Sequence, residues 1–393
     1  MKIRHVIRGR CNPDNADGII RHTYHLAHAQ LRLGHDVAVY GLESRSLEPE
    51  LIDRDGLPVY AYPRTRLPFS VHSALIDRLE GPDLDVGMVH IQVPHDPHMF
   101  RLSRLLKRRN INYFVSPHAM WEPRALDRHR IRKRVYKMLF DDRMNRGAAG
   151  IHATAANEIA AIESYAKGVP AFVVRNSVDL AEIDSAANER NWFCDHFDHS
   201  SDERAFVFLG RLDTYQKGLD VLLQAWSIAV SSRGGGHLFV IGPSWRGSMS
   251  QLTEITQELG ITDSVTFTGP LFGRDKVEAL RSGDCYIQLS RYETSPYSIQ
   301  EAFASGLPAI LTAETNLALV AAHYGAGWAV THEPQEVAAR ITSVLELPTD
   351  QLNEARQKAR LLVEERHSID RAAVKIVDAY RASQTGQSFE DDD

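Results

Sequence analysis

Short apolar runs of strand length recur along the whole chain, and segments with a helical pattern separate them. The runs are 37–40, 86–91, 113–115, 150–153 and 172–174 in the first half, and 206–209, 238–241, 265–267, 286–289 and 309–311 in the second. Parallel strands need a crossover connection, which is usually a helix, so this alternation predicts two α/β domains with largely parallel sheets. Residues 1–8 are predicted to be the first strand, because charges interrupt the long apolar core that a signal peptide or a membrane span would need.

A polar, acidic stretch from Asp195 to Arg204 lies between the two series of predicted strands. A chain of 393 residues has room for two or three domains. We therefore predict an N-terminal domain over residues 1–180 and a C-terminal domain over residues 195–368. A final helix is predicted at about 371–382, and the polar tail at 384–393 is predicted to be disordered.

Composition excludes some classes of function. Hydrophobic residues make up 43% of the chain and charged residues 24%, as in ordinary soluble proteins, and the net charge of −6 gives no general attraction to nucleic acid. The three cysteines, Cys11, Cys194 and Cys285, are too widely spaced for a disulfide framework or a metal knuckle. A reducing compartment is expected, so the predicted location is the cytoplasm.

Two cations follow the first apolar run of the second half. Arg211 and Lys217 lie in the segment from Gly210 to Gly218, where a strand is expected to end and a helix to begin. Open α/β sheets bind ligands at such strand ends. The arginine offers a planar fork of donors to phosphate oxygens, and the lysine adds a mobile point charge. The pair predicts a site for a pyrophosphate.

Two glutamates, Glu293 and Glu301, are separated by seven residues further along. Carboxylates accept hydrogen bonds from hydroxyls, which abound on a hexose and on a ribose. Ser295 and Pro296 between them predict a helix start, with serine as the N-cap and proline as the first helical residue. The N–H groups of that helix end would bind the diphosphate, and they belong to Tyr297, Ser298 and Ile299.

At these residues the chain resembles the family 4 glycosyltransferases, of the group 1 type. Their shared features are an Arg/Lys pair of this kind and a Glu-x7-Glu segment that ends in a helix. The segments that match are Gly210-Arg211-Leu212, Lys217-Gly218, 265–269, Glu293, Glu301-Ala302, 305–308 and, more weakly, 34–37, 116–118 and 174–179. The resemblance implies a GT-B fold, in which two Rossmann-like domains face each other across a deep cleft. It places the donor on the C-terminal domain and the acceptor mainly on the N-terminal one, and it implies that the final helix at about 371–382 packs back on the N-terminal domain.

The resemblance also implies roles for single residues. Arg211, Lys217, Glu293 and His118 would act on the transferred sugar and its leaving diphosphate. Glu301 would bind the nucleotide, and Gly18, in the first strand-to-helix turn, would let the backbone approach the substrates. The implied reaction is the transfer of a hexose from a nucleotide-diphosphate sugar, with retention, to a hydroxyl of a glycan, glycolipid or natural-product acceptor, as in polysaccharide biosynthesis. No metal or other cofactor is expected.

Two alternatives stay open at this point. A sugar-nucleotide epimerase of similar architecture would use the same donor, and a binding relative without catalytic activity would keep the fold. The second remains open because Asp17 and Ser177 stand where the family often has glycine. The histidines at 90, 95 and 98 have no carboxylate cluster beside them, so no metal site is predicted there.

Residues 101–109 and 124–137 are rich in arginine and lysine. Such runs usually form the solvated face of a helix. The alternative is contact with anionic lipid headgroups or a lipid-pyrophosphate acceptor, which would hold the protein at the periphery of the inner membrane face. Nucleic acid is disfavoured as a partner, because no aromatic residues are interleaved with these cations for base stacking.

Overall fold

The computed structural model describes residues 1–12, 18–43, 48–81, 87–123, 126, 130–186, 191–233, 235–293 and 296–385. The chain forms two compact units, of which the first contains Met1–Asn176 and the C-terminal segment from Ile369, and the second contains Ser177–Ser368. The first unit thus ends before the predicted boundary at 180. The segment after it joins the second unit, because Val178 pairs with Ser368 as an isolated β-bridge.

An eight-stranded sheet forms the centre of the first unit, in the order β3-β4-β2-β1-β5-β6-β7-β8. The strands are β1 (Lys2–Arg8), β2 (Asp36–Glu43), β3 (Glu50–Arg54), β4 (Leu57–Pro63), β5 (Gly87–Ile91), β6 (Asn112–Val115), β7 (Gly150–Ala153) and β8 (Ala171–Val173). The helices are α1 (Gly18–Arg32), α2 (Ser73–Glu80), α3 (Pro97–Arg108), α4 (Arg130–Tyr136) with a π-helical turn (Lys137–Asp141), α5 (Asp142–Asn145) and α6 (Glu158–Tyr165). All strand pairs are parallel except β3 with β4.

A six-stranded parallel sheet forms the centre of the second unit, in the order β11-β10-β9-β12-β13-β14. The strands are β9 (Ala205–Leu209), β10 (His237–Ile241), β11 (Val265–Gly269), β12 (Cys285–Gln288), β13 (Ala309–Thr312) and β14 (Gly327–Val330). The helices are α7 (Leu180–Ser185), α8 (Trp192–His196), α9 (Leu219–Arg233), α10 (Ser248–Glu258), α11 (Gly273–Ser282), α12 (Tyr297–Ala304), α13 (Ala318–Tyr324), α14 (Pro334–Leu345) and α15 (Thr349–Arg366), with 3₁₀ turns at Thr262–Ser264 and Ala313–Thr315.

Strand β9 shows why the apolar runs are nearly continuous. Val207 and Leu209 pack into one hydrophobic cluster, while Phe206 and Phe208 pack into another on the opposite face. A parallel strand that is covered on both faces is therefore apolar at nearly every position. The predicted parallel α/β domains are confirmed.

The last helix, α16 (Ile369–Thr385), belongs to the first unit. Ile376 and Tyr380 are buried in the same cluster as residues of β1 and α1, and the Tyr380 hydroxyl lies 2.6 Å from His90 Nδ1. This helix extends beyond the predicted 371–382. It includes Gln384 and Thr385, which were predicted to belong to the disordered tail. The rest of that tail lies outside the described residues.

The antiparallel hairpin of β3 and β4 was not predicted. Its turn consists of Asp55 and Gly56, which both have positive φ, at 54° and 83°. Asp-Gly is a strong signal for such a two-residue turn. The signal was present in the sequence, but prolines at both ends of β4 hide the strand pattern.

Both basic runs contain helix. Helix α3 buries Met99, Leu102 and Leu106 and turns its cations outward, whereas no residue of α4 is buried. Residues 124–125 and 127–129 of the second run lie outside the described part of the chain. Among the described helices, none is long and apolar enough to cross a membrane.

Candidate active site

The strand order of the second sheet determines where the candidate active site lies. From β9 the chain proceeds outward through β10 to β11, then returns to add β12, β13 and β14 on the other side. Neighbouring strands β9 and β12 therefore send their following loops in opposite directions, and a crevice forms at their carboxyl ends. Arg211 and Lys217 follow β9, and Glu293 follows β12. The fold brings these three predicted residues to one switch point.

Two glycines allow the backbone to pack tightly under the loop that carries both cations. A Cβ on Gly242 would lie 1.8 Å from the carbonyl oxygen of Gly210, and Gly210 N donates to Ile241 O at 2.9 Å. Gly218 has a φ of +66°, and a Cβ there would lie 2.0 Å from Leu289 O. A larger residue at either position would push the loop away from the strand ends.

The Lys217 ammonium and the Glu293 carboxylate are in direct contact, with Nζ 2.5 Å from Oε1. Ser290 and Gln288 also donate to Glu293 Oε1, at 3.0 and 3.2 Å. Each charged side chain is about 12% exposed, so the pair is accessible from one side. Among the described residues no hydrogen bond reaches Glu293 Oε2, which leaves this oxygen able to accept from a ligand hydroxyl.

Gln288 links the glutamate to the start of α12. Its Oε1 accepts from the Tyr286 hydroxyl at 2.6 Å and from Ser298 Oγ at 3.0 Å. Burial raises the pKa of Tyr286 far above its usual value, so the phenol stays a neutral donor. This chain of bonds holds Glu293 and the α12 end in a fixed relation. Neither Gln288 nor Ser290 was predicted from the sequence, although Gln288 lies within the apolar run 286–289 and Ser290 directly follows it.

The Arg211 guanidinium lies over the ring of Trp245, 4.1 Å from its centroid, and donates to Gln216 Oε1 at 2.9 Å. Arginine stacks favourably on the negative face of an aromatic ring. The Trp245 ring thus holds the exposed Arg211 side chain in place after the end of β9. Trp245 follows β10 and was not predicted from the sequence as a site residue.

Helix α12 begins at Tyr297, with Pro296 as its N-cap, so the predicted position of the proline at the first helical residue is corrected by one. The reason is the extended backbone of Pro296, with a ψ of 107°. Ser295, the predicted N-cap, lies outside the described residues. Proline cannot cap a helix through a side chain, and the first turn offers N–H groups with no intrahelical acceptor. These groups belong to Tyr297, Ser298 and Ile299.

Glu301 is buried, and its Oε1 accepts from Lys276 Nζ at 2.6 Å. The two side chains are 3% and 5% exposed. Lys276 lies on α11 and was not identified from the sequence, because no local pattern pairs it with a residue on another helix. The predicted contact of Glu301 with a ribose stays a prediction.

The first unit holds two further predicted residues. His118 has a positive φ of 46° and follows β6, and its Nε2 lies 2.9 Å from Gln92 Oε1. Gln92 Nε2 in turn lies 3.1 Å from Nδ1 of the buried His5. Burial lowers the pKa of His118 to about 3, so this ring is neutral near pH 7. Gly18 is the exposed first residue of α1, and a Cβ there would meet no atom within 4 Å. Asp17 lies outside the described residues.

Each of the two units matches the model of a known protein family. The model of the family described as "Glycosyl transferases group 1" matches residues 195–362, and that of "Glycosyl transferase 4-like domain" matches residues 17–176. Mannosylfructose-phosphate synthase from Agrobacterium fabrum is 33% identical over 115 residues, which are 28% of this chain and 25% of that protein. D-inositol 3-phosphate glycosyltransferase from Mycolicibacterium smegmatis is 29% identical over 173 residues, which are 43% of this chain and 39% of that protein. The matched segments thus span only a quarter and about two fifths of these two relatives.

Solved structures share the fold over almost the whole chain. Sucrose-phosphate synthase from Thermosynechococcus elongatus has a TM-score of 0.76 at 15% identity, covering 98% of this chain and 100% of that one. Anabaena HepE, solved in complex with UDP and glucose, has a TM-score of 0.74 at 15% identity, covering 97% and 100%. The predicted GT-B fold class is confirmed. Together the two family models match most of the sequence, one in each unit, and the chain belongs to the group 1 glycosyltransferases.

Proposed function

We propose that this protein transfers a hexose from a nucleotide-diphosphate sugar to a hydroxyl of an acceptor, with retention of the anomeric configuration. The observation that carries the proposal is the contact of Lys217 with Glu293 at the switch point of the second sheet. It joins a cation suited to phosphate and a carboxylate suited to sugar hydroxyls.

The diphosphate end of the donor is assigned to positive groups. Arg211 presents a planar fork of donors, Lys217 presents a point charge, and α12 presents the positive end of its dipole. Groups of this kind stabilise negative charge as it develops on a leaving phosphate. The bound UDP in the fold neighbour HepE is consistent with a nucleoside diphosphate as the ligand.

The sugar end is assigned to Glu293, through the oxygen that has no protein donor in the described structure. In the proposed front-face reaction, the bond from the anomeric carbon to the phosphate oxygen breaks. The acceptor oxygen forms its bond on the same face, and its proton passes to the departing phosphate. Positioning and electrostatic stabilisation then account for catalysis. No bound cation is assigned to this step, so the reaction is proposed to be independent of metal.

From the first unit, His118 is proposed to bind substrate as a neutral hydrogen-bonding group, and Gly18 to allow a close approach of the α1 backbone. The conservative variant His118→Gln replaces the imidazole by an amide, which can still form hydrogen bonds. The variant Gly18→Ala adds one methyl group, which would meet no protein atom within 4 Å. We expect both to fold normally and to lower the rate of transfer.

The acceptor is proposed to be a glycan, a lipid-linked glycan or a hydroxylated natural product. Helix α4 and the turn after it expose a stripe of four apolar side chains, Ile131, Val135, Met138 and Leu139. Beside the stripe lies a pocket of about 690 Å³ whose lining includes four cations, Arg130, Lys133, Arg134 and Lys137. Apolar side chains next to cations suit a membrane surface with anionic lipids. We therefore extend the proposal to peripheral contact with such a surface, in the cytoplasm.

Binding to vesicles tests this extension. Vesicles with anionic lipid should sediment the protein at low salt, and neutral vesicles should not. The double variant Ile131→Ser/Val135→Ser should lose that binding and keep its affinity for the donor. Equal sedimentation of variant and native protein would remove the stripe from the proposal.

Donor binding and turnover test the main proposal. A set of nucleotide sugars is screened for a rise in melting temperature, since a specific ligand stabilises the folded state by mass action. The best donor is then incubated with and without candidate acceptors. Release of nucleoside diphosphate with a new glycoside supports the proposal, whereas an isomerised donor without acceptor would identify an epimerase. Tight donor binding with no product in any condition would favour a binding protein.

A further inference from the structure

Three side chains of types that bind metals meet at the amino ends of strands β9 and β10, which is the end of the second sheet opposite the candidate active site. His199, Glu203 and His237 each place one ligand atom within 4.8 Å of the others, and they form the candidate metal cluster among the residues that the structure describes. His199 and Glu203 lie in the turn before β9, and His237 is the first residue of β10. Parallel pairing of these strands, with His237 opposite Ala205, brings the turn and the histidine together.

The spacing of these groups suits two ligands of one ion better than a hydrogen bond. His199 Nδ1 lies 3.5 Å from Glu203 Oε2. Ligand atoms at about 2.0–2.1 Å from a tetrahedral zinc ion are separated by about 3.3 Å. Nδ1 of His199 is buried and has no hydrogen-bond partner, and the side chain is only 5% exposed. Such an orphaned nitrogen is costly unless something binds it.

The surroundings favour a cation at this place. His237 has a hydrogen-bonding partner on the neighbouring strand β11. Its Nε2 lies 2.8 Å from Thr266 Oγ1, which fixes the ring as the outer partners of metal-binding histidines do. Arg204, the nearest arginine along the chain, is directed instead to Leu347 O at 3.0 Å and to Asp284.

We propose that His199, Glu203 and His237 bind one divalent transition-metal ion, with Zn²⁺ as the best match, and that water completes the coordination. Two imidazoles and one carboxylate are a common ligand set for zinc. The ion would link the turn before β9 to the first residue of β10. His199 also packs against Phe239, with ring centroids 5.2 Å apart, so the ion would secure the end of the hydrophobic cluster on this face.

This site is separate from the donor site. His237 begins β10, whereas Arg211 and Glu293 follow the carboxyl ends of β9 and β12. Five residues of strand span about 15 Å. The ion is therefore assigned to stability of the second unit and has no part in the proposed transfer reaction.

Calorimetry tests the proposal with the full-length chain, freed of any affinity tag and stripped with a chelator. Zinc chloride is titrated into the native protein and into His199→Gln, Glu203→Gln and His237→Gln. The control is His323→Gln, an exposed histidine at the end of α13 in the same unit. We expect one zinc ion per chain, at least about tenfold weaker binding in each cluster variant and unchanged binding in the control.

Two further measurements keep the result decisive. Free zinc at a hundred times Kd should raise the melting temperature of the native protein by about 5–10 °C, and bound Co²⁺ should show the visible absorption of a tetrahedral site. Variants that still bind the donor nucleotide are folded, so their loss of zinc supports the site. Absence of zinc binding to the native protein, or native affinity in the His199 and His237 variants, would overturn it.

Discussion

Glu301→Ala is expected to lower the melting temperature of the second unit by about 6–20 °C. The substitution leaves the ammonium of Lys276 buried without its partner 2.6 Å away, in a place where both side chains are at most 5% exposed. Removing one member of a buried ion pair costs about 3–5 kcal/mol. In a domain of 150–250 residues, each kcal/mol shifts the melting temperature by about 2–4 °C.

The chain offers a matched control on its surface. Lys358 and Glu354 also lie 2.6 Å apart, but their side chains are 43% and 62% exposed. An exposed pair contributes at most about 1 kcal/mol. Glu354→Ala should therefore lower the melting temperature by no more than about 4 °C. Differential scanning calorimetry of both variants measures the contrast, and equal shifts would refute the burial argument.

A double variant separates stability from ligand binding. Replacing the pair by apolar residues of similar volume, Lys276→Met with Glu301→Leu, should restore most of the lost stability. If Glu301 also binds the ribose, the double variant should still bind the nucleoside diphosphate at least about tenfold more weakly, since a charge-assisted hydrogen bond contributes about 1.5–3 kcal/mol. Glu293→Ala should bind the diphosphate almost normally and transfer sugar poorly. If the stable double variant binds the nucleoside diphosphate with native affinity, Glu301 contributes to stability and not to nucleotide binding.

Three further predictions concern catalysis and pH. Arg211→Ala and Lys217→Ala should each lower turnover by about 10²–10³, or about 2.7–4 kcal/mol, and near-native rates in a folded variant would remove that residue from the site. Transfer should persist in excess EDTA below the melting temperature, and loss that magnesium or manganese restores would contradict metal independence. Burial lowers the pKa of His5 and His152 to about 4 each. Between pH 6.5 and 4 the unfolded chain binds protons that the folded chain does not, so the free energy of unfolding should decrease as the pH is lowered through that window. Calorimetry that shows a constant melting temperature from pH 6.5 to 4.5 would contradict this.

The sequence by itself determined the features that depend on local pattern. Apolar runs with helices between them predicted two parallel α/β domains, because burial on both faces makes a strand apolar at nearly every position. Glycine at 210 and 218 and the cations beside them predicted a ligand site at a strand end. The alternation of strands and helices was thus readable, apart from the β3–β4 hairpin. The roles of Arg211, Lys217 and Glu293 in binding and transfer stay predictions.

Tertiary structure alone decided which distant side chains meet. Lys276 contacts Glu301 because α11 and α12 pack together, and Trp245 lies beneath Arg211 because the loops after β9 and β10 end at the same edge. The same holds for His199 and His237, which strand pairing brings together from two separate segments. No periodicity or cap encodes such contacts, since they arise from strand order and helix packing between residues far apart in the chain.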